Sequence, residues 1–138
     1  MDSSSYFIDS NVFIYVLLKD PRHGRTALDI LMRMERGEQV GVTSTLVLSQ
    51  VLGHLSRRKA WTAMEKFLEY VESSPIIVVE TLAEDFHVAR EMLRRKRLPW
   101  RLWDDLVIAA QMLRVNVSKI YSNDSDFDLI GDVERVFI

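Results

Sequence analysis

Apolar residues fall along this chain in two periods. Short runs rich in β-branched and aromatic residues at 6–8, 40–43, 76–79 (Ile-Ile-Val-Val) and 118–121 predict strands, with a fifth candidate at 133–137. Between them apolar positions recur at helical spacing: Leu48, Val51, Leu52 and Leu55 within 44–55, and Phe86, Ala89, Met92 and Leu93 in the next long helix. Capping chemistry marks helix starts independently of the periodicity. Asp20 precedes Pro21, Ser44 precedes an apolar run, and Thr81 with Glu84 makes a capping-box pattern. Strands alternating with helices predict a parallel sheet covered on both faces, and right-handed crossovers then bring the carboxyl ends of the strands to one side. The expected architecture is α/β, a three-layer α/β/α sandwich around a central, mostly parallel sheet of four or five strands.

Composition narrows this picture. A chain of 138 residues, 48% hydrophobic and 28% charged, with no repeat, low-complexity tract or linker, predicts one globular domain over 1–138. With 18 Lys plus Arg against 20 Asp plus Glu, the net charge of −2 gives no whole-surface attraction to nucleic acid. Attraction is left to two local runs, Arg57-Arg58-Lys59 and Arg94-Arg95-Lys96-Arg97, which suit either a phosphate-contacting rim or a solvated helix end complementing the dipole. The absence of Cys excludes a disulfide framework, a thiol nucleophile and a thiolate metal site. Met1-Asp2-Ser3-Ser4-Ser5 has no leader-like pattern, and no apolar run approaches the roughly 20 residues of a membrane span, so the expectation is a cytoplasmic protein without membrane attachment.

The candidate chemistry lies in three acidic clusters. Asp9, followed by Ser10 and Asn11, ends the first strand; Asp104 and Asp105 open the apolar helix Leu106-Val107-Ile108-Ala109-Ala110; and Ser122-Asn123-Asp124-Ser125-Asp126-Phe127-Asp128 follows the strand at 118–121. In a parallel sheet these places lie on one edge, where open α/β folds collect their functional loops. Each cluster alone has a structural use: Asp9 as a helix cap, one of the adjacent acids as another, and the last cluster as a polar turn. Of the adjacent pair, Asp104 is read as the cap and Asp105 as the ligand. A calcium-binding EF-hand loop would fit Asp124, Asp126 and Asp128, but Leu129 stands where it needs Gly and Arg135 where it needs Glu. A phosphorylated receiver domain would need an acid pair after the first strand and an Asp after the third, whereas Asp9 stands alone and the third run ends Val78-Val79-Glu80. His23, His54 and His87 have no second His at ligand spacing and are read as packing or surface residues. Trp100 and Trp103 either seal a core or stack on bases, and Arg101 between them is a candidate phosphate contact.

Taken in order, the strand-end Asp-x-Asn, the helix-start Asp-Leu-Val-Ile-Ala-Ala and the loop Ser-Asn-Asp-x-Asp-Phe resemble the motifs of PIN-domain proteins over residues 6–137. That resemblance implies a small α/β/α ribonuclease, similar to the single-domain VapC-type toxins that pair with VapB antitoxins. It implies Asp9, Asp105 and Asp124 as ligands of Mg²⁺ or Mn²⁺, and Asp126 as an auxiliary acid that orients water. It further implies Asn11 and Ser122 as polar residues that orient ligands, an RNA substrate, a homodimer and a small antitoxin that blocks the acidic site. The segment from Thr43 to Leu52 resembles the family's second motif, with Gln50 where a Glu is expected. A Gln oxygen can coordinate a hard cation but neither offsets its charge nor accepts a proton as a carboxylate does. A second reading follows from that departure: a PIN-like module that has lost catalysis and persists as an RNA-binding or protein-interaction domain.

Overall fold

A computed structural model describes residues 4–138, so the start of the amino-terminal Met1-Asp2-Ser3-Ser4-Ser5 stretch lies outside the described residues. Five strands, β1 Ser5–Ile8, β2 Val40–Ser44, β3 Ile77–Val79, β4 Lys119–Tyr121 and β5 Glu134–Val136, form one sheet in the order β3-β2-β1-β4-β5. All four pairings are parallel, with Phe7 opposite both Val42 and Ile120. The fifth candidate strand is therefore real, and the sheet is wholly rather than mostly parallel.

The helices are α1 Ser10–Leu17, α2 Gly24–Glu35, α3 Thr45–Arg57, α4 Trp61–Ser73, α5 Ala83–Lys96 and α6 Trp103–Arg114. Strand order assigns them to faces. The chain runs from β1 to β2 to β3 in one direction, which with right-handed crossovers puts α1 to α4 on one side, then returns from β3 past β1 to β4, which puts α5 and α6 on the other. Contacts follow the same division, with α5 packed chiefly on α6 and α1 on α2 and α3.

Within these layers the apolar periodicity is only partly a guide. Val47, Val51 and Leu55 of α3 are buried, as are Ala89, Met92 and Leu93 of α5, but Phe86 is 47% exposed and turns away from the core. Helix α6 is buried on every side from Leu106 to Met112, and the small side chains of Ala109 and Ala110 allow close approach.

Three expected caps are displaced. Asp20 does not cap a helix starting at Pro21: α2 begins at Gly24, and the Asp20 carboxylate instead takes the Arg22 and His23 N–H groups at 2.9 and 2.8 Å in the turn before it. The Thr81–Glu84 box is not formed: α5 starts one residue later, and the Leu82 N–H donates to Asp85 Oδ2 at 2.8 Å. Thr81 instead joins helices, accepting from Leu46 N at 3.0 Å and from Gln111 Nε2 at 2.7 Å. Nor does Asp104 cap α6, which begins at Trp103 after the Trp100–Leu102 3-10 turn, so both acids sit in its first turn. Ser44 caps α3 as expected, through Val47 N at 3.4 Å.

Candidate metal centre

Strand β1 lies between β2 and β4, so the chain departs to one side of it first and to the other later. This is the topological switch point of the sheet, where a crevice opens beyond the carboxyl ends of the strands. Asp9 leaves β1 there, and its N–H donates to the Tyr121 carbonyl at the end of β4 at 3.1 Å. The Ser122–Asp124 turn leaves β4 beside it, and the first turn of α6 supplies Asp105.

Asp105, Asp124 and Asp126 bring carboxylate oxygens within 4.8 Å of one another. Asp124 caps the 3-10 turn Ser125–Leu129, accepting from Asp126 N at 3.0 Å, which sets the two acids of that loop side by side. Asp126 is held from outside by Arg101, Nη1 to Oδ2 at 2.7 Å. Thus Arg101 is committed to an acid of the cluster.

Asp9 stands next to this trio rather than within it. Only 4% exposed, it accepts from Ser10 N at 2.8 Å through Oδ1, and from Ser122 Oγ at 2.6 Å and Asn11 Nδ2 at 3.3 Å through Oδ2. Asn11 and Ser122 also meet each other at 3.1 Å, and Ser122 Oγ accepts from Asp124 N at 3.0 Å. One hydroxyl therefore ties the end of β1 to the turn after β4. Asp9 caps α1 and faces the cluster at once, so its two readings are not exclusive.

Gathering so many carboxylates has an electrostatic cost. Burial, followed by repulsion from Asp9, Asp124 and Asp126, pushes the Asp105 carboxyl up to about 8. Burial pushes Asp9 up to about 6 despite the hydrogen bond from Ser122. A single guanidinium does not balance four acids, and hard carboxylate oxygens in this number are the donor set of Mg²⁺ and Mn²⁺. The residues fit such a cation.

Gln50 lies at the margin. Its Nε2 donates to Asp104 Oδ2 at 3.1 Å, while its Oε1 is buried without a hydrogen-bond partner among the described residues. An orphaned buried acceptor is itself a place for a water or cation to bind.

Three residues not singled out as candidate site residues complete the frame. Asn123 donates its backbone N–H to Asn11 Oδ1 at 3.2 Å and its amide to Tyr15 OH at 3.1 Å, with His23 Nε2 3.4 Å away. The His23 ring packs on Tyr15 and Phe137, centroids 4.9 and 5.8 Å apart, as the packing residue expected of it. The sequence shows Asn123 only as another polar turn residue, and nothing in the spacing of Tyr15 and His23 ties them to a turn some hundred positions away.

Residues 6–133 match the PIN domain, so the chain belongs to the PIN-domain family. A sequence search of curated proteins finds no match. Among solved structures it resembles Mycobacterium tuberculosis VapC20, a sarcin-ricin loop cleaving toxin, with a TM-score of 0.79 and 22% identity over 96% of this chain and 99% of that one. Rickettsia felis VapBC2, bound to a DNA fragment from its promoter, matches with a TM-score of 0.70 and 20% identity over 96% and 97% of the two chains. Neisseria gonorrhoeae FitAcB follows with a TM-score of 0.61 and 15% identity over 94% and 95%. The structural neighbours thus include VapC toxins of VapBC systems, and at these identities they show a shared fold. PIN-domain proteins usually bind Mg²⁺ or Mn²⁺, and no helix among the described residues is long and apolar enough to cross a membrane.

Proposed function

We propose that the chain is a metal-dependent endoribonuclease acting in the cytoplasm, the toxin of a VapBC-type pair. The observation that carries the reading is the convergence of Asp105, Asp124 and Asp126 beside buried Asp9 at the switch point of a PIN fold. Asp9, Asp105 and Asp124 would hold Mg²⁺ or Mn²⁺, and Asp126 would orient the attacking water. A cation held there would lower the pKa of a bound water so that, once deprotonated, it could attack the phosphodiester, and would offset charge on the leaving oxygen.

The remaining residues position that site. Ser122 and Asn11 fix the Asp9 carboxylate, and Arg101 fixes Asp126 while offering its exposed edge to a substrate phosphate. An RNA substrate is supported by the PIN-domain membership and by the fold shared with a sarcin-ricin loop cleaving toxin. The partners are a small VapB-type antitoxin and a second copy of the chain. An apolar hollow of about 290 Å³ between α1, α2 and α4, lined by Phe13, Leu17, Leu28, Leu31 and Phe67, is open surface of the kind a partner covers.

The assignment is tested by Mn²⁺-dependent cleavage of RNA. Asp9→Asn should lower turnover by about two orders of magnitude or more with the far-ultraviolet circular dichroism unchanged; turnover equal to the parent would overturn the assignment. A second reading, the interaction module without catalysis, is favoured by one observation: the amide at position 50 is engaged with Asp104. It expects no cleavage by the parent protein either.

A further inference from the structure

Trp100 is a large apolar side chain left 68% exposed, and it opens the 3-10 turn that leads into α6. Its ring is nevertheless held. It leans on Trp103 with centroids 5.7 Å apart and planes at 35°, and Trp103 is braced by Phe86, centroids 6.0 Å apart at 65°. Three aromatic rings thus form a buttress whose outermost member faces solvent.

The chain fixes where that face lies. Arg101, the next residue, reaches Asp126 of the acidic cluster at 2.7 Å, and Asp104 and Asp105 follow within the first turn of α6. In the other direction, Leu98 and Pro99 connect Trp100 to the basic end of α5. Arg94, Arg95 and Arg97 are exposed there and make no side-chain hydrogen bond or ion pair among the described residues; Lys96 alone is paired, with Asp132 at 3.3 Å. The dipole of α5 accounts for cations in its last turn. Arg97, the C-cap residue with φ of 53°, extends that basic end by one residue toward Trp100.

We propose that Trp100 is a stacking platform for a base of single-stranded RNA beside the scissile phosphodiester, with Arg94, Arg95 and Arg97 contacting the flanking phosphates; the proposal rests on the ribonuclease reading above. Single-stranded nucleic acid is recognised by this pairing of an aromatic face with a cationic track. An apolar protein surface would match the ring but leave three guanidinium groups unanswered, and an acidic peptide would match the cations but not the ring.

The test is fluorescence anisotropy of a short labelled single-stranded RNA of mixed sequence, titrated with the full chain and its variants. Trp100→Ala should weaken binding about tenfold while Trp100→Phe keeps most of it, and neither should alter Mn²⁺ affinity or molar mass. Replacing Arg94, Arg95 and Arg97 together with Ala should flatten the dependence of affinity on salt, a change Trp100→Ala should not produce. RNA bound equally well by Trp100→Ala would overturn the platform and leave the ribonuclease reading standing. A change in molar mass in that variant would also overturn it, because the ring would then belong to a protein interface. Failure of the parent protein to bind RNA would remove the ribonuclease reading, and the platform with it.

Discussion

Asp105 is where the physical tension of the site concentrates. With its carboxyl raised from an ordinary 3.8 to about 8, the folded, metal-free protein keeps a proton that the unfolded chain has released. Stability therefore falls as pH rises across that interval, and Asp9 acts in the same direction up to about 6. Asp20 and Asp128, held below the usual range by hydrogen bonds from the His23 backbone and the Arg135 guanidinium, work oppositely and only at the acid end. The metal-free protein should thus melt at a lower temperature at about pH 8 than at about pH 5. Asp105→Asn should shrink that difference and stabilise the protein at the higher pH by roughly 2 kcal/mol. Thermal melts in chelator check this, and equal pH profiles for parent and variant would contradict it. The sequence shows the four acids by their places at strand ends and a helix start. Asn11 sits two residues from Asp9 in the same motif, whereas the hydrogen bond from Ser122 joins positions more than a hundred residues apart, and only the resemblance, not the local pattern, points to it.

Among the elements, the most heavily committed is the start of α5. Asp85 is 1% exposed, accepts the Leu82 N–H and takes a two-pronged ion pair from Arg114 of α6 at 2.8 and 3.0 Å. Arg114 also donates to the Glu80 carbonyl at 2.8 Å, so one pair closes the gap between β3, α5 and α6. Asp85→Ala should destabilise the fold by about 3 kcal/mol, because it removes a cap and leaves a guanidinium without its buried partner. Urea unfolding measures this, and a loss below about 1 kcal/mol, the level of an exposed pair, would contradict it. The periodicity of α5 finds the helix and most of its buried face, while the capping pattern chooses the wrong acid. Thr81 and Glu84 satisfy the local rule, but burial beside Arg114 favours Asp85, and a local pattern carries no information about α6.

At the scale of the whole molecule, strand order converts scattered acids into a centre. Alternation along the chain predicts a parallel sheet, and the motifs predict which strand ends matter. The central place of β1 is decided by crossovers that no local signal records. That order puts Asp9 and Asp124 on adjacent strand ends and lets α6 aim Asp105 at both. The most direct test is calorimetric titration of metal-stripped protein with Mn²⁺ near neutral pH, in buffers of different ionisation enthalpy. Saturable binding that releases protons, and that is lost in both Asp9→Asn and Asp105→Asn, is the expected result, because a cation must displace the proton that Asp105 retains near neutral pH. Absence of binding in the parent, or binding unchanged in the two variants, would contradict a metal centre at the switch point.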